Sequence, residues 1–288
     1  MSRRLDIGVA SYGRNHQQLE RTLQSIARHS VTDFTCHVIH NPSDGDELTR
    51  ETICRVVDRD TRFRPVWHEK NTGYAGAVNT LLSMATTDRI GYVENDATIL
   101  TLAWDETLCE KLDMFHELGW IFPNGGPYPI DRGNYTEVLW GVGFCWMLAR
   151  QAMVDVGLFD EEIGHQNEVD YSTRLRLAGW KIAAESRVQV KHEASATNDP
   201  KSLDRINKGV VEWLNKWLRL LVGKQINYHS PNVLRFEDLH PTAIYMEQYW
   251  LTQFPNLNAN PEVITVNGVK FDLIKVPRLS GFYRNRII

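Results

Sequence analysis

Segments with the apolar pattern of buried strands alternate with amphipathic helical segments from the start of the chain to Asp96. The strand-like runs are residues 5–10, 34–40, 65–69 and 89–93. Helical spacing of apolar residues fills the intervals between them. This alternation favours an α/β fold with a mostly parallel sheet that is covered by helices on both faces. Sheets of this kind bind their ligands beyond the carboxyl ends of the strands.

Short polar loops follow three of these strands, at residues 11–15, 41–45 and 94–96. We therefore expect the three loops to lie together at one edge of the sheet. The third loop reads Glu94-Asn95-Asp96, and its carboxylates are the oxygen ligands that hard divalent cations prefer. Taken alone, the same pair is better explained as a polar strand end that caps a turn.

A second ordered set of residues lies between Gly141 and His192. An apolar strand-like run comes first, and Asn167-Glu-Val-Asp then opens a helix that Gly179 is expected to end. Carboxylates in a first helical turn are favourable against the helix dipole, so Glu168 and Asp170 have a structural interpretation beside a catalytic one. His192 follows the strand-like residues 188–191.

The order of these segments resembles the inverting nucleotide-sugar glycosyltransferases of the GT-A type, in family two. The resemblance spans residues 5 to about 195 and implies a GT-A (Rossmann-like) α/β fold. It divides the chain into a catalytic domain at residues 1–200 and an irregular α+β extension at residues 201–288. Within the extension we expect a helix over residues 201–222 and short strands near 262–266 and 270–274, on either side of an Asn-Gly turn.

The resemblance places Glu94-Asn95-Asp96 at the family's DxD motif, whose carboxylates bind the ribose and a divalent cation. We expect Asp96 and His192 to bind Mn²⁺ or Mg²⁺, and Glu94 and Asn95 to contact the nucleotide. Glutamate stands at residue 94 where the family usually has aspartate.

Glu168 matches the aspartate that serves as the family's general base. Asp170 is expected to begin the helix or to orient the acceptor. Because a glutamate is longer than the aspartate it replaces, the choice of base between Glu168 and Asp170 stays open.

The remaining donor contacts that the resemblance implies come from three loops. They are Ala10, Ser11, Tyr12 and Arg14 after the first strand, Asn41 after the second, and Asn71, Gly73 and Asn79 in the segment before the acidic motif. His40 stands where the family has an aspartate that reads the base, so the identity of the nucleotide base is open.

Composition excludes several other classes of protein. The chain has 36 acidic and 32 basic residues, a net charge of −4, which argues against bulk attraction to nucleic acid or anionic membrane. Its four cysteines show no CxxC spacing, so neither a zinc site nor a disulfide scaffold is indicated. The sequence lacks an apolar run of the roughly 20 residues that a transmembrane helix needs and a signal-peptide core, which favours a cytoplasmic protein.

Several functions fit these motifs. The expected reaction is metal-assisted direct displacement, from a nucleoside-diphosphate sugar to a hydroxyl acceptor, with a glycan or a lipid-linked glycan as the usual acceptor. Basic residues at 201–224 and 275–286 would also suit modified DNA. We expect the acceptor to bind at the loop of residues 122–135 and the extension. The alternative role of the extension is oligomerisation, in a homo-oligomer. A nucleotidyltransferase or a non-catalytic GT-A-fold binding protein are further alternatives.

Overall fold

The computed structural model describes residues 4–124, 129–138, 140–163 and 167–193, together with strand residues 264–266 and 269–271. The helices are α1 (His16–His29), α2 (Glu47–Arg59), α3 (Gly73–Met84), α4 (Trp104–Met114), α5 (Arg150–Val156) and α6 (Asn167–Leu177). The first strands are β1 (Arg4–Tyr12), β2 (Asp33–Asn41), β3 (Phe63–Trp67), β4 (Arg89–Glu94), β5 (Ala97–Ile99), β6 (Leu118–Pro123) and β7 (Ile130–Asp131). The others are β8 (Thr136–Glu137), β9 (Cys145–Ala149), β10 (Lys181–Glu185), β11 (Val190–His192), β12 (Ile264–Val266) and β13 (Val269–Phe271).

Nine strands form the central sheet, in the order β3-β2-β1-β4-β9-β6-β10-β8-β7. Strands β1 to β4 are parallel to one another, whereas β9 runs antiparallel to β4 and β6. The chain builds outward from β1 to β3 and then returns to place β4 on the other side of β1. That reversal is the topological switch point at which open α/β sheets bind ligands. The predicted α/β architecture is confirmed.

Helices cover both faces of the sheet, as the alternation of segments predicts. One apolar cluster includes Leu23 of α1, Ile53 of α2 and Leu108 of α4. The other includes Leu81 of α3 and Leu175 of α6. Strand β1 is buried along most of its length, which is typical of a strand that is covered on both sides.

Four strands of this sheet, β6, β7, β8 and β10, are additions to the elements that the sequence pattern predicts. Residues 122–123 end β6, and β7 lies within residues 122–135, so the segment expected as an uninterrupted loop is partly strand. Gly179 has a φ of +93° after α6, which confirms the expected left-handed residue at the end of that helix.

The extension is described only through β12 and β13, which pair antiparallel from Ile264 with Phe271 to Val266 with Val269. The expected strand pair is therefore present. The helix predicted over residues 201–222 lies outside the described residues. In the part of the chain that the structure describes, every helix is too short or too polar to cross a membrane.

Asp6 ties β1 to the turn that precedes β4. Its buried carboxylate accepts hydrogen bonds from the backbone N–H of Thr86 at 2.8 Å and of Thr87 at 3.2 Å, and it lies 3.0 Å from His37 Nε2 of β2. Burial alone would raise the pKa of this carboxyl, but the hydrogen bonds from His37 and Thr86 hold that pKa below its usual range. The charged form of Asp6 therefore stabilises the junction of three strands.

We predict that Asp6→Ala lowers the free energy of unfolding by about 2 to 4 kcal/mol, because it leaves the N–H groups of Thr86 and Thr87 and the imidazole of His37 without their acceptor. Chemical denaturation measures the change, and Asp58→Ala on the exposed side of α2 is the control, with an expected change within about 0.5 kcal/mol. Since the folded-state pKa of Asp6 is lowered, its contribution is complete at neutral pH and declines only below about pH 4. Equal losses for the two variants would contradict this role of Asp6.

Candidate active site

The carboxyl ends of β1, β2 and β4 lie side by side, as expected for a site at the switch point. In the parallel register Tyr12, the last residue of β1, is paired with Asn41, the last residue of β2. Ala10 of β1 is paired with Glu94, the last residue of β4. The structure therefore brings the three predicted loops to one edge of the sheet.

Glu94, Asp96 and His192 form one cluster at this edge. Strand β11 pairs antiparallel with β5, with His192 opposite Ala97, so the imidazole lies beside the acidic turn. His192 Nε2 is 3.1 Å from Glu94 Oε2 and 3.2 Å from Asp96 Oδ1. One ligand atom from each of the three residues lies within 4.8 Å of the others. The predicted neighbours Asp96 and His192 are thus brought together, with Glu94 as a third member.

The chemistry of this cluster fits a divalent cation. Two carboxylates and an imidazole are ligands that Mn²⁺ accepts, and Mg²⁺ is suited by the carboxylates. Asp96 Oδ1 is buried, and within the described residues it is paired with the His192 imidazole at 3.2 Å but accepts no hydrogen bond of good geometry. A buried acceptor of this kind is normally satisfied by a partner. A cation bound by these three residues would satisfy it.

The protonation of His192 supports the same interpretation. Partial burial disfavours the imidazolium, but the adjacent carboxylates of Asp96 and Glu94 outweigh that effect and raise the pKa of His192 to about 9. A positive charge is therefore favoured at this position. Since a metal ligand must be neutral imidazole, cation binding would release this proton.

Glu168 occupies the first turn of α6 and is half-buried. Burial raises the pKa of its carboxyl to about 7, and the negative charge of Glu94 adds to the rise. A carboxylate with a pKa close to neutral is well matched to general base catalysis. The position of Glu168 near Glu94 places it on the same side of the molecule as the cluster.

Asp170 has a different environment. It is fully buried, and its Oδ2 accepts a hydrogen bond from Arg174 Nε at 2.9 Å, one helical turn further along α6. Arg174 also donates to the backbone carbonyl of Val156 at 2.8 Å, at the end of α5. Asp170 therefore takes part in an ion pair that holds α6 against the preceding segment. This arrangement favours Glu168 over Asp170 as the base.

The first donor loop is supported by a buried chain of polar side chains. Ser11 Oγ lies 3.3 Å from His40 Nδ1, and His40 Nε2 lies 2.8 Å from Asp46 Oδ2. Burial lowers the pKa of His40 in spite of the hydrogen bond with Asp46, so the ring is neutral. The Ser11 side chain points into the protein, whereas Tyr12 and Arg14 are exposed at the rim.

The predicted asparagines hold backbone segments in place. Asn41 donates to the carbonyl of Gly73 at 3.1 Å and accepts from the N–H of Thr72 at 3.1 Å. Asn71 accepts from the N–H of Gly73 at 2.8 Å, and the φ of +70° at Gly73 favours glycine at the start of α3. These contacts shape the loop before α3. Nucleotide contacts from Asn41, Asn71 and Gly73 stay predictions.

Asn79 and Asn95 lie in different surroundings. The buried amide of Asn79 pairs with both backbone groups of Phe159, at 2.8 and 3.0 Å. A nucleotide contact from Asn79 stays a prediction. Asn95 lies between Glu94 and Asp96, and its Nδ2 is 3.5 Å from the Tyr12 carbonyl. Asn95 therefore links the first and third loops.

Sequence comparison relates the first part of this domain to a known family. The profile of the family described as glycosyl transferase family 2 matches residues 6–140. Residues 6–140 are therefore similar in sequence to the family 2 glycosyltransferases. No curated protein sequence matches the chain.

Solved structures agree on the fold of this glycosyltransferase. The chain is similar to the mannosyltransferase PcManGT from Pyrobaculum calidifontis in complex with GDP-Man and Mn²⁺, with 15% identity, a TM-score of 0.62, and coverage of 88% of this chain and 76% of that one. It is also similar to S. aureus TarS residues 1–349 in complex with UDP-GlcNAc, with 14% identity, a TM-score of 0.59, and coverage of 90% and 75%. Against the longer TarS structure the identity is 15% and the TM-score 0.55, with 88% of this chain aligned to 49% of that one, so the chain spans about half of that protein. At these identities the likeness establishes the GT-A fold.

Asn124 is a contributor to the glycosyltransferase site that the sequence pattern did not indicate. It follows β6 with a φ of +66°, an unusual conformation for a residue other than glycine. Its side-chain amide pairs with the backbone N–H and carbonyl of Val190 at 2.8 and 2.6 Å. Val190 begins β11, so this pairing fixes the strand that ends at His192. Asparagine tolerates left-handed backbone, but its partner lies far along the chain and leaves no local sequence signal.

We predict that Asp96→Asn weakens Mn²⁺ binding by more than about tenfold, because the amide removes a charged ligand from the cluster. Isothermal titration of the whole chain with MnCl₂ measures the affinity, and circular dichroism confirms that the variant is folded. Asp58→Asn, the same change on the exposed side of α2, should bind Mn²⁺ as the parent does. Equal affinities for the two variants would remove Asp96 from the site.

Proposed function

We propose that this chain is an inverting glycosyltransferase that moves a sugar from a nucleoside-diphosphate sugar to a hydroxyl acceptor by metal-assisted direct displacement. The observation that carries the proposal is the presence of Glu168, a carboxylate with a pKa of about 7, on the same side of the molecule as the Glu94, Asp96 and His192 cluster. Glu168 is suited to act as a base, and the cluster is suited to bind a cation. Direct displacement at an anomeric carbon uses both.

Glu94, Asp96 and His192 are the residues that would hold the cation. When bound, a divalent cation would neutralise the diphosphate that leaves the sugar. The chain's own contribution is to keep these ligands in place: β5 and β11 bring Asp96 and His192 together, and the end of β4 supplies Glu94. Asn124 stabilises β11 in that position.

Glu168 would act on the acceptor. Its carboxylate takes the proton of the acceptor hydroxyl as the hydroxyl oxygen forms a bond to the anomeric carbon. The bond between that carbon and the diphosphate oxygen breaks, and its electron pair leaves with the nucleoside diphosphate. Attack from the side opposite the leaving group inverts the anomeric configuration.

The comparisons support the class of donor. PcManGT is described in complex with GDP-Man and Mn²⁺, and TarS in complex with UDP-GlcNAc. Both donors are nucleoside-diphosphate sugars, and we propose a donor of this class here. The family's usual acceptor, a hydroxyl-bearing glycan, is our proposal for the acceptor, with residues 201–288 as the acceptor-side or oligomerisation element.

Hydrolysis of a panel of nucleotide sugars, including GDP-Man and UDP-GlcNAc, with and without Mn²⁺, tests the proposed activity directly. Release of nucleoside diphosphate that depends on Mn²⁺ is the expected result. Binding of the donors without turnover under any condition would favour a non-catalytic GT-A-fold protein.

We predict that kcat rises with pH through about 7 and then levels off, because Glu168 must be deprotonated to accept the proton. Its raised pKa means that the active form is lost as the pH falls below that value. Glu168→Gln should lower kcat by about 10²- to 10⁴-fold and leave the donor KM unchanged, since the amide cannot accept the proton. Steady-state kinetics from pH 5 to pH 9 measure both effects.

Asp170→Asn is the matched comparison, because it makes the same change two residues away in α6. It weakens the ion pair with Arg174, so we expect a lower Tm with a smaller effect on kcat. A greater loss of kcat for Asp170→Asn than for Glu168→Gln would transfer the role of base to Asp170.

A further inference from the structure

Gly143 lies in the turn before β9 and faces the first turn of α6. A Cβ atom built on Gly143 would lie 2.1 Å from Glu168 Oε1, 3.0 Å from its Cδ and 3.3 Å from its Cγ. Real Cβ contacts are essentially never shorter than 3.0 Å. The Glu168 carboxylate therefore occupies the space that any side chain at residue 143 would take.

The backbone of Gly143 does not itself require glycine. Six described glycines have a positive φ, which side chains rarely adopt, and Gly143 is not among them. Alanine could therefore adopt the same backbone conformation at residue 143 without strain. The atoms nearest to the Cβ position of residue 143 are those of the Glu168 side chain, so a side chain at residue 143 would displace the carboxylate.

The next residue, Phe144, contacts the cation cluster. Its backbone carbonyl accepts a hydrogen bond from the N–H of Glu94 at 2.8 Å. Its ring stacks on the imidazole of His192, with centroids 4.9 Å apart and an angle of 18° between the planes. One pair of neighbouring residues thus contacts both Glu168 and the cluster.

We propose that Gly143 is a positioning residue for Glu168. Because residue 143 has no side chain, it leaves a space, or slot, that the Glu168 carboxylate occupies. The slot sets the position of the carboxylate relative to the cluster that Phe144 contacts. This inference rests on the proposed function, in which Glu168 is the base. The slot determines where the carboxylate can meet an acceptor hydroxyl. A displacement of about 1 Å at such a group can cost about 10²-fold in rate.

Gly143→Ala is the direct test. The methyl group forces Glu168 into another rotamer, so we expect kcat for GDP-Man or UDP-GlcNAc hydrolysis to fall about 100-fold. The donor KM and the Mn²⁺ affinity should stay those of the parent, because the cluster does not touch the added methyl group. A crystal structure of the variant gives a readout without activity, and we expect the Glu168 carboxylate to have left its place beside residue 143.

Replacing Glu168 with aspartate in the Gly143→Ala variant distinguishes a displaced carboxylate from a general loss of structure. Glu168→Asp withdraws the carboxylate by one methylene and relieves the 2.1 Å conflict with the added methyl group at position 143. We expect the double variant to regain about tenfold or more in kcat over Gly143→Ala, whereas Glu168→Asp alone lowers kcat in the parent. This non-additivity is expected for two residues that compete for one space.

Gly119→Ala is the control for steric conflict elsewhere. A Cβ at Gly119 would lie 2.9 Å from the Cβ of Ala152, in the core and away from the site. This variant should lose Tm and keep its kcat at a temperature where it is folded, whereas Gly143→Ala should keep its Tm and lose kcat.

If Glu168→Gln is inactive, as the proposed function requires, any of three results would still overturn the inference about Gly143. They are a parental kcat for Gly143→Ala, an unmoved Glu168 carboxylate in its crystal structure, and a loss of kcat that Glu168→Asp does not restore. Full activity of Glu168→Gln would instead contradict the proposed function and remove the basis of this inference with it.

Discussion

The partial burial of three carboxylates, those of Glu94, Asp96 and Glu168, is the constraint on which the site depends. Negative charges in a partly buried space destabilise one another unless a positive charge or a proton compensates them. The protein supplies both forms of compensation. His192 has its pKa raised to about 9 beside Glu94 and Asp96, and Glu168 has its pKa raised to about 7. Under the proposed function, a cation bound at the cluster would replace the proton of His192, while Glu168 titrates near neutral pH.

The order of strands explains how acids so distant in the sequence come together. Strand β4 returns beside β1, and the switch point between them opens the crevice where β4 ends at Glu94. Antiparallel β9 lies on the other side of β4, and the turn before β9 provides Gly143 and Phe144. The short pair β5 and β11 then adds His192. Each functional side chain is placed by a strand end or by a first helical turn.

The sequence predicted the parallel half of the sheet because its strands are separated by helices with clear apolar periodicity. It did not predict β6, in which Gly119 and Pro123 interrupt a short apolar run, or β10, whose Lys181 and Glu185 flank only three apolar residues. Both strands are stabilised by pairing with segments far along the chain. A local pattern cannot contain that information.

The candidate site, like the fold, was predicted from the sequence only in part. Motif order placed Asp96 and His192 at one site, and the structure brings them together. The partner of an asparagine amide cannot be deduced from its position in a motif. Asn79 pairs with Phe159, and Asn124, which no motif marked, pairs with Val190 beside the cluster. Such pairings depend on which segments the fold brings within hydrogen-bond distance.

Gly143 also accounts for the departure of residue 168 from the aspartate that the resemblance implies. A glutamate at the start of α6 reaches one methylene further than an aspartate, so its carboxylate needs additional space in front of the helix. That space exists because residue 143 has no side chain, as the 2.1 Å distance from its Cβ position to Glu168 Oε1 shows. The glutamate at residue 168 and the glycine at residue 143 are therefore sterically dependent on each other. A larger residue at 143 would be compatible with the shorter acid, and a change at either position alters what the other can be.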